Sequence, residues 1–290
     1  MFSGAMTALV TPFRGGQVDV QALGALVEAQ IEGGINALVP CGSTGESATL
    51  THEEHLAVVR EVVRVAHGRV PVIAGTGSNS TAEAIRLTRG AEEVGASAAL
   101  LISPYYNKPT QEGIYRHYAA VADQTGLPLI VYNIPGRTSS NITPDTMARL
   151  ARLPSIAGVK EASGNLGQVL EMIDESGPDF AVYAGDDILT LPIMAAGGRG
   201  VISVGANLMP RAFVELTDAL TAGDLERSRM LNHRLLPLMV ALTLEVNPIP
   251  VKTALALMGR CADEFRLPLT PMSSGARTRL EAVLEEYELV

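Results

Sequence analysis

The chain has 290 residues and a mass of 30.5 kDa, which is long enough to bury a substantial core without disulfides or a structural metal. Its net charge of -9 and the lack of any lysine or arginine block argue against binding to nucleic acid or an anionic membrane. Two isolated cysteines, a start without a charged leader and apolar stretches too short for a bilayer predict a soluble cytoplasmic protein.

Short apolar segments alternate with segments of helical period from the N-terminus to about residue 222. Helix starts are predicted at Asp19, at capping boxes beginning with Thr51 and Ser80, and at Thr143, which is followed by proline. Eight such units predict parallel strands closed into a (β/α)8 TIM barrel. An open doubly wound sheet is the alternative, because alternation alone does not prove closure. Strands are predicted at residues 5–10, 37–40, 70–74, 98–102, 128–132, 156–160, 180–184 and 200–204.

The pattern changes near the C-terminus. We expect residues 1–222 to form the barrel that carries the active site, and residues 223–290 to form a C-terminal helical appendix of about three helices. Residues 235–240 are more apolar than a lone helix requires, so we expect the appendix to pack on the barrel or on another subunit.

Polar side chains follow several of the predicted strands. The loops after the strands of a (β/α)8 barrel converge over one face, where active sites are found. A glycine-containing turn with two hydroxyls follows strand two, at residues 40–47, and suits a carboxylate or a developing oxyanion. Tyrosines follow strands four and five, Arg137 lies in the loop after strand five, and Lys160 ends strand six. We expect these side chains to lie close together at one end of the barrel.

Only three of the 22 basic side chains are lysines: Lys108, Lys160 and Lys252. Arginine keeps its proton in proteins, whereas a partly desolvated lysine can lose its proton and attack a carbonyl. Lys160, at a strand end with no neighbouring cation, is therefore the candidate nucleophile. The alternative is that the three lysines merely reflect an arginine-biased composition. For Lys252 we expect a structural role at the start of a helix.

These loops resemble the pyruvate-dependent class I aldolases and synthases of the N-acetylneuraminate lyase superfamily, and most closely its dihydrodipicolinate synthases. The resemblance spans nearly the whole chain, and its strength lies in the ordered set rather than in any single motif. The motifs are Gly42-Ser43-Thr44-Gly45-Glu46-Ser47, Pro104-Tyr105-Tyr106-Asn107-Lys108-Pro109, Tyr132-Asn133-Ile134-Pro135-Gly136-Arg137-Thr138, Lys160-Glu161-Ala162-Ser163, Gly185-Asp186-Asp187 and Asn247-Pro248-Ile249-Pro250-Val251-Lys252.

The resemblance implies a lyase of lysine and diaminopimelate biosynthesis that condenses pyruvate with L-aspartate-4-semialdehyde to 4-hydroxy-tetrahydrodipicolinate. Lys160 would form a Schiff base with pyruvate, and no cofactor would be needed beyond this covalent imine. Tyr132 and Ser43 would relay protons, and a neighbouring subunit would insert Tyr106. The implied substrate-binding residues are Thr44, Arg137, Gly185 and Ile202.

The resemblance leaves alternatives open. Ser43 stands where the synthases usually carry threonine, and the turn around it also resembles that of the neuraminate lyases, so an aldolase cleaving a 2-oxo sugar acid is the alternative. Arg137 favours the synthases, because neuraminate lyases lack an arginine there and a planar guanidinium matches a second carboxylate. A non-catalytic binder of amino or oxo acids is a third alternative, against which an intact Lys160 argues.

His52 and His55 lie three residues apart at a helix start, which could indicate a metal site, although a solvated helix start explains them better. We predict no metal, and we expect Cys41 to be a small buried apolar residue rather than a nucleophile. The resemblance implies instead an allosteric site for L-lysine, which would inhibit a homotetramer built as a dimer of dimers. The residues implied for this site are Ser47, Ala48, His52, His55, Asn79, Glu83 and Tyr105.

Overall fold

The computed structural model describes residues 2–290. A continuous sheet of eight parallel strands forms its centre, and each strand overlaps one of the eight predicted segments. The strands are β1 Gly4–Ala8, β2 Ala37–Val39, β3 Ile73–Gly75, β4 Ala98–Ile102, β5 Leu129–Asn133, β6 Ile156–Glu161, β7 Ala181–Ala184 and β8 Gly200–Ser203.

The sheet closes on itself. Its strands neighbour one another in the order β2-β1-β8-β7-β6-β5-β4-β3, and a parallel bridge between Leu38 and Val72 joins the two ends. Two backbone hydrogen bonds reinforce this seam, from Leu38 N to Pro71 O (3.0 Å) and from Gly75 N to Pro40 O (2.9 Å). The predicted (β/α)8 barrel is therefore confirmed, and the open sheet is excluded.

Helices surround the barrel and follow its strands. The predicted capping box at Thr51 is complete. At Ser80 only half of the predicted box forms: the Ser80 side chain accepts from Glu83 N, but the Glu83 carboxylate bonds to Ser78 and His52 instead of the backbone of Ser80. The helices are α1 Val20–Glu32, α2 His52–Ala66, α3 Thr81–Glu93, α4 Gln111–Gln124, α5 Pro135–Thr138, α6 Pro144–Ala151, α7 Leu166–Glu175, α8 Thr190–Ala195, α9 Pro210–Thr221, α10 Leu225–Ala241, α11 Ile249–Leu257 and α12 Ser274–Glu286.

A short antiparallel hairpin, Phe13–Arg14 with Gln17–Val18, follows β1 and was not predicted. Two-residue strands are too short to show a period of two, so the sequence carried little signal for them. The turn between them, Gly15 and Gly16, has positive φ at both residues and donates both amide groups to Glu264. The C-terminal region thereby holds the hairpin against the barrel.

The last three helices, α10 to α12, pack against the barrel. Leu238, Leu255 and Leu280 from these helices share one apolar cluster with Val10 and Leu26 of the barrel region. Burial of this cluster explains the apolar surplus of the C-terminal segment. A division of the chain at residue 222 stays a prediction.

Within residues 2–290 we find no helix with the length and apolar character needed to cross a membrane.

Candidate active site

A cavity of about 200 Å³, the first cavity, opens at the carboxyl ends of the strands. Its walls come from the loops after several strands and from the C-terminal region. The polar and charged residues that line it are Ser43, Thr44, Tyr132, Arg137, Lys160, Asp186, Asp187, Thr243 and Asn247.

Lys160 lies near the end of β6 and is only 5% exposed. It pairs in register with Tyr132 on β5, and its Nζ lies 4.5 Å from the centre of the Tyr132 ring. Burial lowers the pKa of the Lys160 amine to about 8, against the opposing effect of the Asp187 carboxyl. A pKa near 8 leaves roughly a tenth of the amine neutral at pH 7, enough for nucleophilic attack.

Tyr132 is buried beside this amine. Burial raises the pKa of its phenol to about 12, while Arg137 and the Ser43 side chain act to lower it. The phenol is therefore protonated at neutral pH and can donate a hydrogen bond to an oxygen on the carbon that the amine attacks.

The turn that follows β2, residues 42–45, borders the same cavity as Lys160 and is here called the glycine turn. Both of its hydroxyl residues, Ser43 and Thr44, line the first cavity. Asn247 ties the turn to the C-terminal region, since its Nδ2 donates to Thr44 Oγ1 (3.0 Å) and its carbonyl accepts from Arg137 Nη2 (2.9 Å). The glycine turn and Arg137 are thus held by one residue of the segment between α10 and α11.

Gly185, after β7, also lines the first cavity. A Cβ at this position would come within 2.7 Å of the Ala162 side chain and 2.9 Å of the Glu161 carbonyl. Only glycine therefore allows the β6 and β7 loops to approach so closely, which places Lys160 beside the loop that carries Asp186 and Asp187.

Asp187 was quoted in a motif but given no role from the sequence. Its Oδ2 accepts a hydrogen bond from Gly205 N (2.7 Å), and burial raises the pKa of its carboxyl to about 6. Its Oδ1 is buried without a hydrogen-bond partner within residues 2–290. Asn247 was likewise quoted in a motif and given no role in the site from the sequence. In both cases the motif was the only signal, because neither residue lies in a pattern that single-sequence chemistry singles out.

The structure brings together six of the residues predicted for catalysis and substrate binding: Ser43, Thr44, Tyr132, Arg137, Lys160 and Gly185. Ile202 is instead fully buried in the barrel interior, in the same apolar cluster as Tyr132, and does not line the first cavity. Tyr106 lies outside it too. This side chain is 88% exposed, and its φ of 71° is unusual for a residue other than glycine.

A second cavity, of about 420 Å³, also borders the glycine turn, since Gly42 and Ser43 line it. Its wall shares Ser43, Tyr132 and Arg137 with the first cavity. Asn79 does not line the second cavity. Its Nδ2 donates a hydrogen bond to the carbonyl of Tyr105 (3.1 Å), which does line the cavity. The remaining residues predicted to bind lysine all line the second cavity: Ser47, Ala48, His52, His55, Glu83 and Tyr105.

The polar groups of the second cavity form an acidic and imidazole cluster. His52 Nε2 lies 2.7 Å from Glu83 Oε1, and His55 Nε2 lies 2.7 Å from the carbonyl of Gly75. The hydrogen bond from Ser78, together with His52, holds the pKa of Glu83 below its usual value. Burial lowers the pKa of His55. No group of three or more histidine, cysteine, aspartate or glutamate side chains within residues 2–290 is arranged to hold a metal ion.

A (β/α)8 barrel with a buried lysine of lowered pKa, next to a tyrosine and near an arginine, defines an enzyme equipped for imine chemistry. The model of the dihydrodipicolinate synthetase family matches residues 1–287. The chain therefore belongs to the dihydrodipicolinate synthetase family.

Individual relatives agree with this assignment. The chain is 56% identical to the 4-hydroxy-tetrahydrodipicolinate synthase of Trichlorobacter lovleyi over the full length of both chains. The crystal structure of dihydrodipicolinate synthase from Aquifex aeolicus superposes with a TM-score of 0.98 at 49% identity, covering 99% of each chain.

Two solved structures hold small molecules. The chloride-inhibited dihydrodipicolinate synthase from Acinetobacter baumannii, complexed with pyruvate, has a TM-score of 0.98 at 46% identity and covers both chains fully. The enzyme from Cyanidioschyzon merolae, with lysine bound, has a TM-score of 0.97 at 41% identity, covering 100% of this chain and 99% of that one.

Proposed function

We propose that the protein is a lyase that condenses pyruvate with L-aspartate-4-semialdehyde to 4-hydroxy-tetrahydrodipicolinate, in lysine and diaminopimelate biosynthesis. The observation that carries this proposal is the buried Lys160 amine, with its pKa lowered to about 8 and its Nζ 4.5 Å from the centre of the Tyr132 ring. Family membership and the Acinetobacter baumannii enzyme with pyruvate support the choice of first substrate.

The first half of the reaction joins Lys160 to pyruvate. The neutral amine attacks C2 of pyruvate, and the resulting carbinolamine loses water to give the imine. We assign to Tyr132 and Ser43 the transfer of protons to and from the departing oxygen, since both line the first cavity beside the amine. Thr44 and the backbone amides of the glycine turn would bind the pyruvate carboxylate. We keep Gly185 and Ile202 as substrate-binding candidates.

The second half adds the semialdehyde. Loss of a proton from C3 converts the imine to an enamine, whose C3 attacks the aldehyde carbon, and the aldehyde oxygen takes up a proton to become a hydroxyl. The amino group of the semialdehyde then adds to C2, which closes the ring and releases the Lys160 amine. The imine thus acts as the electron sink, and no other cofactor is needed. Arg137 stands at the rim of the first cavity, where its guanidinium can pair with the second substrate's carboxylate. This is the reason to favour the condensation over cleavage of N-acetylneuraminate or another 2-oxo sugar acid.

We further propose that the active site is completed by a neighbouring subunit of a homotetramer arranged as a dimer of dimers. Tyr106 supports this view, because a large aromatic side chain that is 88% exposed on a residue of positive φ is costly for an isolated chain. Inserted into a partner's first cavity, its hydroxyl would extend the proton relay of Tyr132 and Ser43. We expect the assembly to work in the cytoplasm.

We also propose that L-lysine inhibits the enzyme from the second cavity. The Glu83 carboxylate, held with a lowered pKa, is ionised at neutral pH and suits an ammonium group. His52, His55 and Asn79 add polar partners around it. The Cyanidioschyzon merolae enzyme with bound lysine supports the choice of ligand.

Trapping with borohydride tests the enzyme proposal. Incubation with pyruvate and sodium borohydride should reduce the imine and add a pyruvyl-derived group to Lys160, located by peptide mass spectrometry. An unmodified Lys160 would eliminate every imine mechanism. Because condensation and cleavage share the imine, a coupled assay must then compare aspartate semialdehyde with N-acetylneuraminate. Turnover of the sugar acid alone would favour the 2-oxo sugar acid lyase.

A further inference from the structure

Lys252, on α11, is fully buried in an ion pair. Its Nζ lies 2.6 Å from Glu46 Oε1, and neither side chain has any exposed surface. The ammonium also faces two aromatic rings, with 4.0 Å from Nζ to the centre of the Phe13 ring and 5.2 Å to that of Phe265. Burying two charges is costly and an apolar pair is often as stable, so stability alone is a weak reason for this arrangement.

Glu46 follows the glycine turn directly and connects it to the wall of the second cavity. Its backbone is left-handed, with a φ of 52°, although it carries a side chain. Such a conformation is unfavourable for residues other than glycine and persists only where the surroundings impose it. The second carboxylate oxygen accepts a hydrogen bond from Arg266 N (3.3 Å). Two residues of the C-terminal region therefore fix the carboxylate that holds this strained position.

The same turn is fixed at other points. Thr11 Oγ1 donates to the carbonyl of Gly45 (2.7 Å), and Asn247 Nδ2 donates to Thr44 Oγ1. A Cβ on Gly45 would lie 3.0 Å from Cys41 N and 3.2 Å from the carbonyl of Leu9, so the turn is packed closely against its surroundings. With Glu46 held by Lys252, the hydroxyls of the turn have little freedom to move relative to Lys160.

We propose that Glu46 and Lys252 are positioning residues. They hold the glycine turn, and with it the Ser43 and Thr44 hydroxyls, at a fixed position relative to Lys160 and Tyr132. The inference rests on the proposed function, because it assigns the purpose of the pair to the imine-forming site. It also gives a reason for a second lysine in an arginine-rich chain. An ammonium is a compact charge that fits between Glu46 and two rings, whereas a guanidinium is larger and planar.

The test separates positioning from stability by removing both charges together. In the double variant Glu46→Gln/Lys252→Met no unpaired charge remains, so the protein should fold with a melting temperature near that of wild type. We expect its kcat to fall about 10- to 100-fold, because small displacements of catalytic groups have effects of this size. The limb of the pH profile that rises towards pH 8, set by the pKa of Lys160, should not move. Arg277→Met is the matched control, since it breaks ion pairs to Asp263 and Glu281 in the same C-terminal region and should leave kcat unchanged.

Hydrogen–deuterium exchange of the peptide covering residues 41–50 supplies a readout that does not depend on activity. Faster exchange there in the folded double variant, together with the fall in kcat, supports the proposal. A kcat within twofold of wild type overturns it, and so does a fall in kcat with unchanged exchange. If the wild-type enzyme fails to trap pyruvate, the proposed function fails, and the exchange measurement still decides whether the pair holds the turn.

Discussion

Lys160 and Tyr132 are partners across two adjacent parallel strands, with Nζ 4.5 Å from the centre of the tyrosine ring. Because both side chains start from paired backbone positions in a closed sheet, their separation is set by the barrel rather than by a mobile loop. If Lys160 and Tyr132 act as the proposed nucleophile and proton donor, this placement requires little reorganisation on binding substrate.

The first prediction concerns the pH dependence of imine formation. The pKa of Lys160 is lowered to about 8, and only the neutral amine attacks a carbonyl. The rate of borohydride-trapped labelling by pyruvate should therefore rise as the pH increases from 6 to 8 and level off above. Lys160→Arg should remain unlabelled at every pH. A rate that continues to rise steeply up to pH 10 would show that the amine keeps an ordinary pKa.

A second prediction concerns Asp187, whose carboxyl raises the pKa of Lys160 against the effect of burial. Asp187→Asn removes this charge while keeping the shape, so the pKa of Lys160 should fall further and the rising limb should move to lower pH. Gly205 N would still have a carbonyl oxygen to donate to. Pyruvate trapping across the pH range measures the shift, and a limb displaced to higher pH would contradict the assigned effect.

Subunit mixing tests the role of Tyr106. If a partner supplies this side chain, Tyr106→Phe should lower kcat by about 10²-fold or more without changing the melting temperature, as removal of a proton-transfer group does. Oligomers reassembled from Tyr106→Phe and Lys160→Ala subunits should regain activity, because some sites then combine an intact lysine with an intact partner tyrosine. No recovery in oligomers shown to be mixed would place Tyr106 in its own subunit's site or outside catalysis.

At position 43, the side chain can be varied without large changes in volume. Ser43→Ala should reduce kcat by about 10²-fold, the low end of the effect expected for a group in proton transfer. Ser43→Thr keeps the hydroxyl and adds a methyl that restricts χ1, so its kcat should equal or exceed that of wild type. Steady-state kinetics with both substrates decide the matter, and equal activity of all three proteins would remove Ser43 from the relay.

Feedback inhibition is tested at Glu83. Glu83→Gln should abolish the heat of L-lysine binding in isothermal titration and relieve inhibition, while kcat without lysine stays close to that of wild type. Glu92→Gln is a control on the same helix, where the carboxylate accepts from Gly126 N outside the second cavity. Absence of any effect of millimolar lysine on the wild-type enzyme would refute the effector proposal.

The barrel could be predicted from the sequence because each strand is a short apolar run bounded by helix start signals, and these signals are local. The hairpin that begins at Phe13 could not be predicted from the sequence, because two-residue strands are too short to show a periodic pattern. The capping box at Ser80 was half wrong because Glu83 has a better partner in His52, which is 31 residues away.

The gathering of Ser43, Arg137 and Lys160 could be predicted because each lies at or just after the carboxyl end of a strand, and these ends converge on one face of the barrel. The contribution of Asn247 could not, since it depends on how the segment after α10 packs over the barrel mouth. Lys252 was expected to be structural at a helix start, yet nothing local shows that its partner is Glu46, 206 residues earlier. Long-range ion pairs of this kind leave no trace in composition or spacing.

Residues of the glycine turn line both cavities, so the proposed pyruvate site and the proposed effector site share part of their walls. Thermodynamic linkage then imposes a symmetry on any coupling between these ligands. If lysine weakens pyruvate binding by a given factor, pyruvate must weaken lysine binding by the same factor. A cell with abundant pyruvate would then need proportionally more lysine to shut off the enzyme.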